Sequence, residues 1–132
     1  MTTLQKQGVG MMSMLTVQYL LGVTTTLFVK FPENEHGGRL WRFAWTQLPL
    51  VLHIIIGLLL LSGSLVLLIR TIYSKDKTWI IAASVAFGAI IVAVIGGVFF
   101  IPTQTDAYSF IMASSFIIAL LAYFFGIYVS KN

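Results

Sequence analysis

One ionisable side chain stands inside a long apolar run: His53, followed four residues later by Gly57. An imidazole in hydrocarbon is expensive, and its ring nitrogens can hold a proton, accept a hydrogen bond or ligate a metal, so it marks a candidate site. Three readings are open to it: an interhelical hydrogen bond that fixes packing, an axial bond to haem b, and proton or ligand sensing. Haem would call for a second axial ligand, and Met112 is the methionine whose depth matches. The second histidine, His36, falls in a polar stretch with Glu33 and Glu35, too weak a pattern to specify zinc, and no metal centre is expected. The chain has no cysteine, which removes thiolate nucleophiles, disulfides and iron–sulfur ligation. Since no acid accompanies His53 within the apolar runs, the pairings that hydrolysis requires are missing, and the expected function is non-enzymatic.

Depth joins His53 to other groups. At about 1.5 Å per residue it lies about 10 Å below the outer end of its run, and Thr24–Thr26, Gly96–Gly97, Met112 and Ser114–Ser115 reach a similar level on the other runs. The expectation is an outward-facing pocket around His53, lined by Gly57, Thr25, Gly97, Met112, Ser114 and Ser115, with His53 and Met112 as its cofactor-binding pair. If the imidazole only packs, its expected partner is Ser114, Ser115 or a threonine of the first run. Gln18 and Tyr19 sit deeper; an interhelical bond from this pair to Ser62, Ser64 or Ser84 is expected, with a permeation path as the alternative.

These groups must be positioned by membrane-spanning helices. The 132 residues are 58% hydrophobic, with only 8 Lys and Arg and 4 Asp and Glu, and the mean hydropathy of +0.96 is too high for a water-soluble domain. Apolar runs over about residues 9–29, 47–69, 78–101 and 107–129 each reach about 31–36 Å as helix, enough to cross a hydrocarbon core of about 30 Å. The first reads as a retained span, because no small-residue cleavage pattern precedes Lys30-Phe31-Pro32. Short connections predict an all-α, up-down-up-down four-helix bundle as a single domain over residues 1–132. The longer connection, residues 30–46, interleaves Arg39, Trp41, Arg42 and Trp45 as a lipid-interface segment, either a strap over the bundle or an aromatic belt.

Small residues predict how the bundle packs. Ala82, Ala86, Ala89, Ala93 and Gly97 recur at helical spacing on the third run, and Ser115, Ala119, Ala122 and Gly126 on the fourth. Helices in lipid associate through such close approaches, within one chain or in a homodimer. Asp106 is expected to cap the fourth helix and Pro49 to sit in the first turn of the second. Placing the termini inside puts Lys6, Arg70, Lys75, Lys77 and Lys131 there against Lys30, Arg39 and Arg42 outside, which predicts cytoplasmic termini. The formal charge of +4 therefore follows topology and lipid headgroups, and nucleic acid is not an expected partner.

Leu27-Phe28-Val29 with Pro32 behind it, His53-x-x-x-Gly57-Leu58, and Ser109-Phe110-x-Met112-Ala113 together resemble small four-helix membrane proteins of bacteria that have no assigned function. The resemblance implies the topology and a bacterial cytoplasmic membrane, and no activity. Small multidrug exporters match in size, but the acid of their first span has no counterpart here. Dimeric fluoride channels match in size too, without their signature residues. Three classes remain: a membrane-complex subunit or ligand-binding membrane module, a haem b electron-transfer module, and a small dimeric transporter or channel.

Overall fold

The computed structural model describes residues 1–130 as five helices: α1 (Thr3–Phe28), α2 (Gly38–Ala44), α3 (Leu48–Ser74), α4 (Lys77–Thr103) and α5 (Asp106–Val129). Lys131, one of the basic residues counted above, lies outside the described residues. The four long helices have 24 to 27 residues and are apolar enough to cross a membrane, at about 36–40 Å each. They outrun the apolar runs that predicted them, because local capping sets where a helix ends whereas hydropathy sets only what lipid tolerates. At the start of α1, the Gln5 amide donates to Thr2 Oγ1 at 3.2 Å, and Thr2 N–H donates back to Gln5 Oε1 at 2.7 Å. Asp76 caps α4 by accepting from the Trp79 amide at 3.2 Å. Asp106 works differently from the expected cap: it is the first helical residue after Thr105, with no side-chain capping bond, and acts on the α5 terminus through its charge. Pro49 stands in the first turn of α3, as expected.

In projection the long helices form a ring. α1 packs on α3 and α5, and α4 packs on the same two, so α1 lies diagonally across from α4 and α3 from α5. This is the up-down-up-down bundle. Its most extensive seam joins α4 to α5, where Ala82, Ala86 and Ala89 meet a face on which Ser115, Ala119, Ala122 and Gly126 are buried. The small-residue stripes thus serve packing within the chain, and Ala93 and Gly97 at their far end are only half-buried. Leucine, isoleucine and phenylalanine side chains cover the outside, among them Leu58, Leu59, Ile118 and Phe124. That is the surface a bilayer accepts.

The two ends of the bundle close differently. At the end holding the termini, Trp79 and Tyr123 are fully buried. Trp79 reaches across the diagonal to α1: a Cβ on Gly8 would lie 2.5 Å from its ring, and one on Gly126 would lie 3.0 Å from both Trp79 and Ala82. Only glycine leaves room for the indole at these positions. Gln5 ties the same end together, its amide donating to the Ile127 carbonyl at 3.3 Å and to Ser130 Oγ at 3.2 Å. At the other end, α2 lies as a strap whose Leu40 and Ala44 pack with Leu50 of α3 and Ile101 of α4, flanked by Phe31, Trp41 and Ile54. Gly37, at φ 63°, turns the chain into that strap, a conformation that L side chains rarely adopt.

Candidate functional site

The polar groups of the bundle form two separate places. The first is a half-buried pair between α1 and α3. Gln18 Nε2 stands 3.3 Å from His53 Nε2, a contact in which the amide donates to the ring when the imidazole is neutral with its proton on Nδ1. Two glycines make the room. A Cβ on Gly22 would come within 3.2 Å of the His53 ring, and one on Gly57 within 3.0 Å of the Gln18 amide. Each helix thus carries a polar residue and, one turn on, a glycine that receives the other helix's polar residue. Gln18-x-x-x-Gly22 and His53-x-x-x-Gly57 are the same device run antiparallel. Sequence reasoning found the second half and missed the first, although the repeated spacing was the available signal. His53 Nδ1 and Gln18 Oε1 are buried without a hydrogen-bond partner among the described residues.

This pair corrects both expected partners. Ser62 and Ser64 donate to the Leu58 and Leu61 carbonyls of their own helix, and Ser84 faces outward; Gln18 turns to His53 instead. Tyr19 is half-exposed and stacks on Phe116 of α5, with ring centroids 5.1 Å apart. No hydrogen bond joins His53 to Ser114, Ser115 or a threonine of α1 among the described residues. The layer of equal depth divides according to helix rotation. Met112 packs against Gly96 and Gly97 in the α4–α5 seam, diagonally across the bundle from α3, so the structure does not assemble Met112 and His53 as an axial pair. Ser115 is buried on α5 and Ser114 half-buried. Of the six residues expected around His53, only Thr25 is among those that line the cavity at the strap end.

That cavity, of about 460 Å³, is the second place. It lies under the strap, between the C-terminal ends of α1 and α4 and the start of α5. Thr25 and Thr26 come from α1, Phe31, Glu33, Glu35 and His36 from the connection, Leu40 from α2, Phe100 and Thr103 from α4 with Gln104 just past its end, and Asp106 and Ser109 from α5. Glu33, Glu35 and Asp106 are among its lining residues, and no lysine or arginine is. The helix ends bring dipoles of both signs, negative from the C-termini of α1 and α4 and positive from the N-terminus of α5. At the α4 end Gln104 adopts a left-handed conformation, φ 52°, and its side-chain amide donates to the Ile101 carbonyl at 2.7 Å and to the Phe100 carbonyl at 3.3 Å. Phe31 and Phe100 meet edge to face, centroids 6.3 Å apart.

Three successive threonines behave differently. Thr24 Oγ1 donates to the Leu20 carbonyl and Thr26 Oγ1 to the Gly22 carbonyl, the usual return of a helical threonine to its preceding turn. Thr25 does not: it is 9% exposed, lines the cavity, and its hydroxyl has no hydrogen-bond partner among the described residues. Glu33, Glu35, His36 and Asp106 do not converge as a metal site, for no group of three or more potential ligands is close enough to hold an ion among the described residues.

The outer face of the strap has the opposite character. Arg39 and Arg42, one helical turn apart, line an open groove with Glu35, Phe43 and Thr46. Trp45 is exposed beside them, whereas Trp41 turns inward onto the Leu40–Ala44 cluster. The interleaved arginines and tryptophans thus form a strap with one face down on the bundle and one face exposed. No family model matches this sequence, and neither the curated proteins nor the solved structures compared with it give a match.

Proposed function

We propose that this chain is a small non-enzymatic membrane module that binds a polar ligand in the cavity beneath its α2 strap, on the outward side of a bacterial cytoplasmic membrane. The carrying observation is the cavity itself, about 460 Å³ and lined from both diagonals of the bundle and from the strap, a volume within the range that small-molecule sites use. The basic residues support the direction. Lys6, Arg70, Lys75 and Lys77 stand at the end of the bundle opposite the strap, as a cytoplasmic end requires. The Gln18–His53 pair belongs to this function as the fixed point beneath the chamber: it locks α1 to α3, the helices whose ends carry Thr25 and Leu50. Lipid is the surrounding partner, with Arg39 and Arg42 at the headgroups.

Because the native chain has no cysteine, a single introduced thiol tests access directly. Ser109→Cys should react with a membrane-impermeant maleimide on intact cells, whereas Ser74→Cys should react only after lysis. A thermal-stability screen of the purified protein against small cationic, neutral and anionic solutes then tests binding. At least one solute should raise the melting temperature, and the rise should vanish when Thr26→Trp fills the chamber. A Ser109→Cys thiol reached only from the cytoplasm would reverse the orientation, and a melting temperature that no solute moves would overturn the ligand-binding reading.

A further inference from the structure

We infer that the outer face of the α2 strap binds the headgroup of a phosphatidylethanolamine, its arginines taking the phosphate and Glu35 the primary ammonium. The inference extends the headgroup reading of Arg39 and Arg42 given above and does not depend on the cavity beneath the strap. Glu35, Arg39 and Arg42 line one open groove of about 470 Å³ with Phe43 and Thr46. The two arginines are exposed and stand three residues apart on α2. That spacing puts side chains on one helix face with Cβ atoms about 5–6 Å apart, close enough for both guanidiniums to reach a single phosphate. Guanidinium suits the task, because its paired donors in a planar fork match phosphate oxygens.

The independent observation is that these opposite charges do not use one another. Glu35 shares the groove with both arginines, yet no ion pair joins them among the described residues. A ligand carrying only a phosphate would leave the carboxylate unmatched, and one carrying only an ammonium would leave the arginines unmatched. A headgroup with both signs a short ethylene link apart complements the whole groove. A primary ammonium brings N–H donors to the carboxylate, whereas the trimethylated ammonium of choline has none. The source of the headgroup is the bilayer. α2 packs Leu40 and Ala44 down on Leu50 of α3 and Ile101 of α4, at the ends of helices long enough to cross a membrane. Its outer face therefore lies where hydrocarbon gives way to headgroups. Trp45 and Leu48, exposed on either side of Thr46 in the chain, offer apolar surface to the glycerol and the first acyl carbons.

The test offers the full-length protein in detergent three lipids with identical short acyl chains, phosphatidylethanolamine, phosphatidylcholine and phosphatidylglycerol, and reads the bound lipid by native mass spectrometry. Phosphatidylethanolamine should bind about threefold more tightly than either of the others, the scale of one exposed ion pair. Glu35→Gln should abolish its advantage over phosphatidylcholine. Arg39→Gln combined with Arg42→Gln should weaken all three lipids by at least about threefold. Circular dichroism and gel filtration confirm that each variant folds. For any that does not, a mixture of the three lipids offered to the wild-type protein ranks them without a substitution. Glycerophosphoethanolamine, the same headgroup without acyl chains, should not displace the lipid at equal concentration. Equal binding of phosphatidylethanolamine and phosphatidylcholine, or tighter binding of phosphatidylglycerol, would overturn the assignment. So would a Glu35→Gln variant that keeps the preference, or a double arginine variant that binds lipid as the wild type does. Displacement by the soluble headgroup would overturn the lipid source. Each of these outcomes leaves the cavity reading standing, because the solute screen and Thr26→Trp test that reading separately.

Discussion

The two ends of this bundle are built from the same four helices and solve opposite problems. At the termini end, Gly8 and Gly126 bring α1 and α5 against the buried Trp79 ring, and the seam between α4 and α5 is lined by alanines, serine and glycine. At the strap end the helices leave a cavity of about 460 Å³, whose wall carries threonine, glutamine, aspartate and glutamate beside phenylalanine, proline, valine and leucine. Close packing is what stabilises helices in lipid, where no hydrophobic drive holds them together. A membrane protein this small can therefore open a chamber at one end because the other end is packed tightly. The Gln18–His53 pair lies between them, and it marks where apolar packing gives way to polar structure.

Substitutions should grade accordingly. The largest effect is expected for Trp79→Ala, which empties the centre of the termini end; loss of a buried tryptophan costs about 3–5 kcal/mol, measurable by denaturant or SDS unfolding in mixed micelles. A loss below about 1 kcal/mol, the scale of an ordinary substitution, would show that this end is not the anchor. Next come Gly8→Ala and Gly126→Ala, whose added methyl would meet the indole at 2.5 and 3.0 Å. Overpacking of this kind costs about 1–3 kcal/mol. Combining either with a smaller residue at Trp79 should recover part of the loss, and strict additivity would contradict the contact.

The middle of the bundle should respond less. A double-mutant cycle over Gln18→Leu and His53→Leu is expected to give a coupling of about 0.6–1.7 kcal/mol, the range of polar pairs in membrane bundles. Zero coupling would mean that the two side chains do not meet. The smallest change belongs to the strap end, where Thr25→Val replaces an unpartnered hydroxyl with a methyl and should shift ligand-free stability by less than about 0.5 kcal/mol. A large loss would place a structural bond at Thr25.

How legible was all this in the residues? The four spans were, because about 20 apolar residues in a row have no other stable home. So were the alanine and glycine stripes of the α4–α5 seam, since small residues at helical spacing announce close approach. His53 was visible as the polar exception, but its partner was not. Depth along a helix follows from counting, whereas the direction a side chain faces depends on helix rotation, which an apolar surface hardly constrains. Equal depth therefore grouped His53 with Met112, which packs on Gly96 and Gly97 of α4, and missed as its partner Gln18, which sits one turn from a glycine just as His53 does. The strap followed a similar course: its arginines and tryptophans were visible as an interleaved segment, but whether Trp41 or Trp45 faces down is decided by packing on the cluster with Leu50 and Ile101.

Composition and hydropathy thus determined by themselves four helices long and apolar enough to cross a membrane, with short connections and one longer one, because the bilayer admits so few backbone solutions. Tertiary structure alone decided where the cavity lies. A cavity is the space left when stretches distant in sequence, residues 25–40 and 100–109, come to rest together, and Thr25, Glu33, Phe100 and Asp106 share it only because α1 and α4 end, and α5 begins, at the same level under α2.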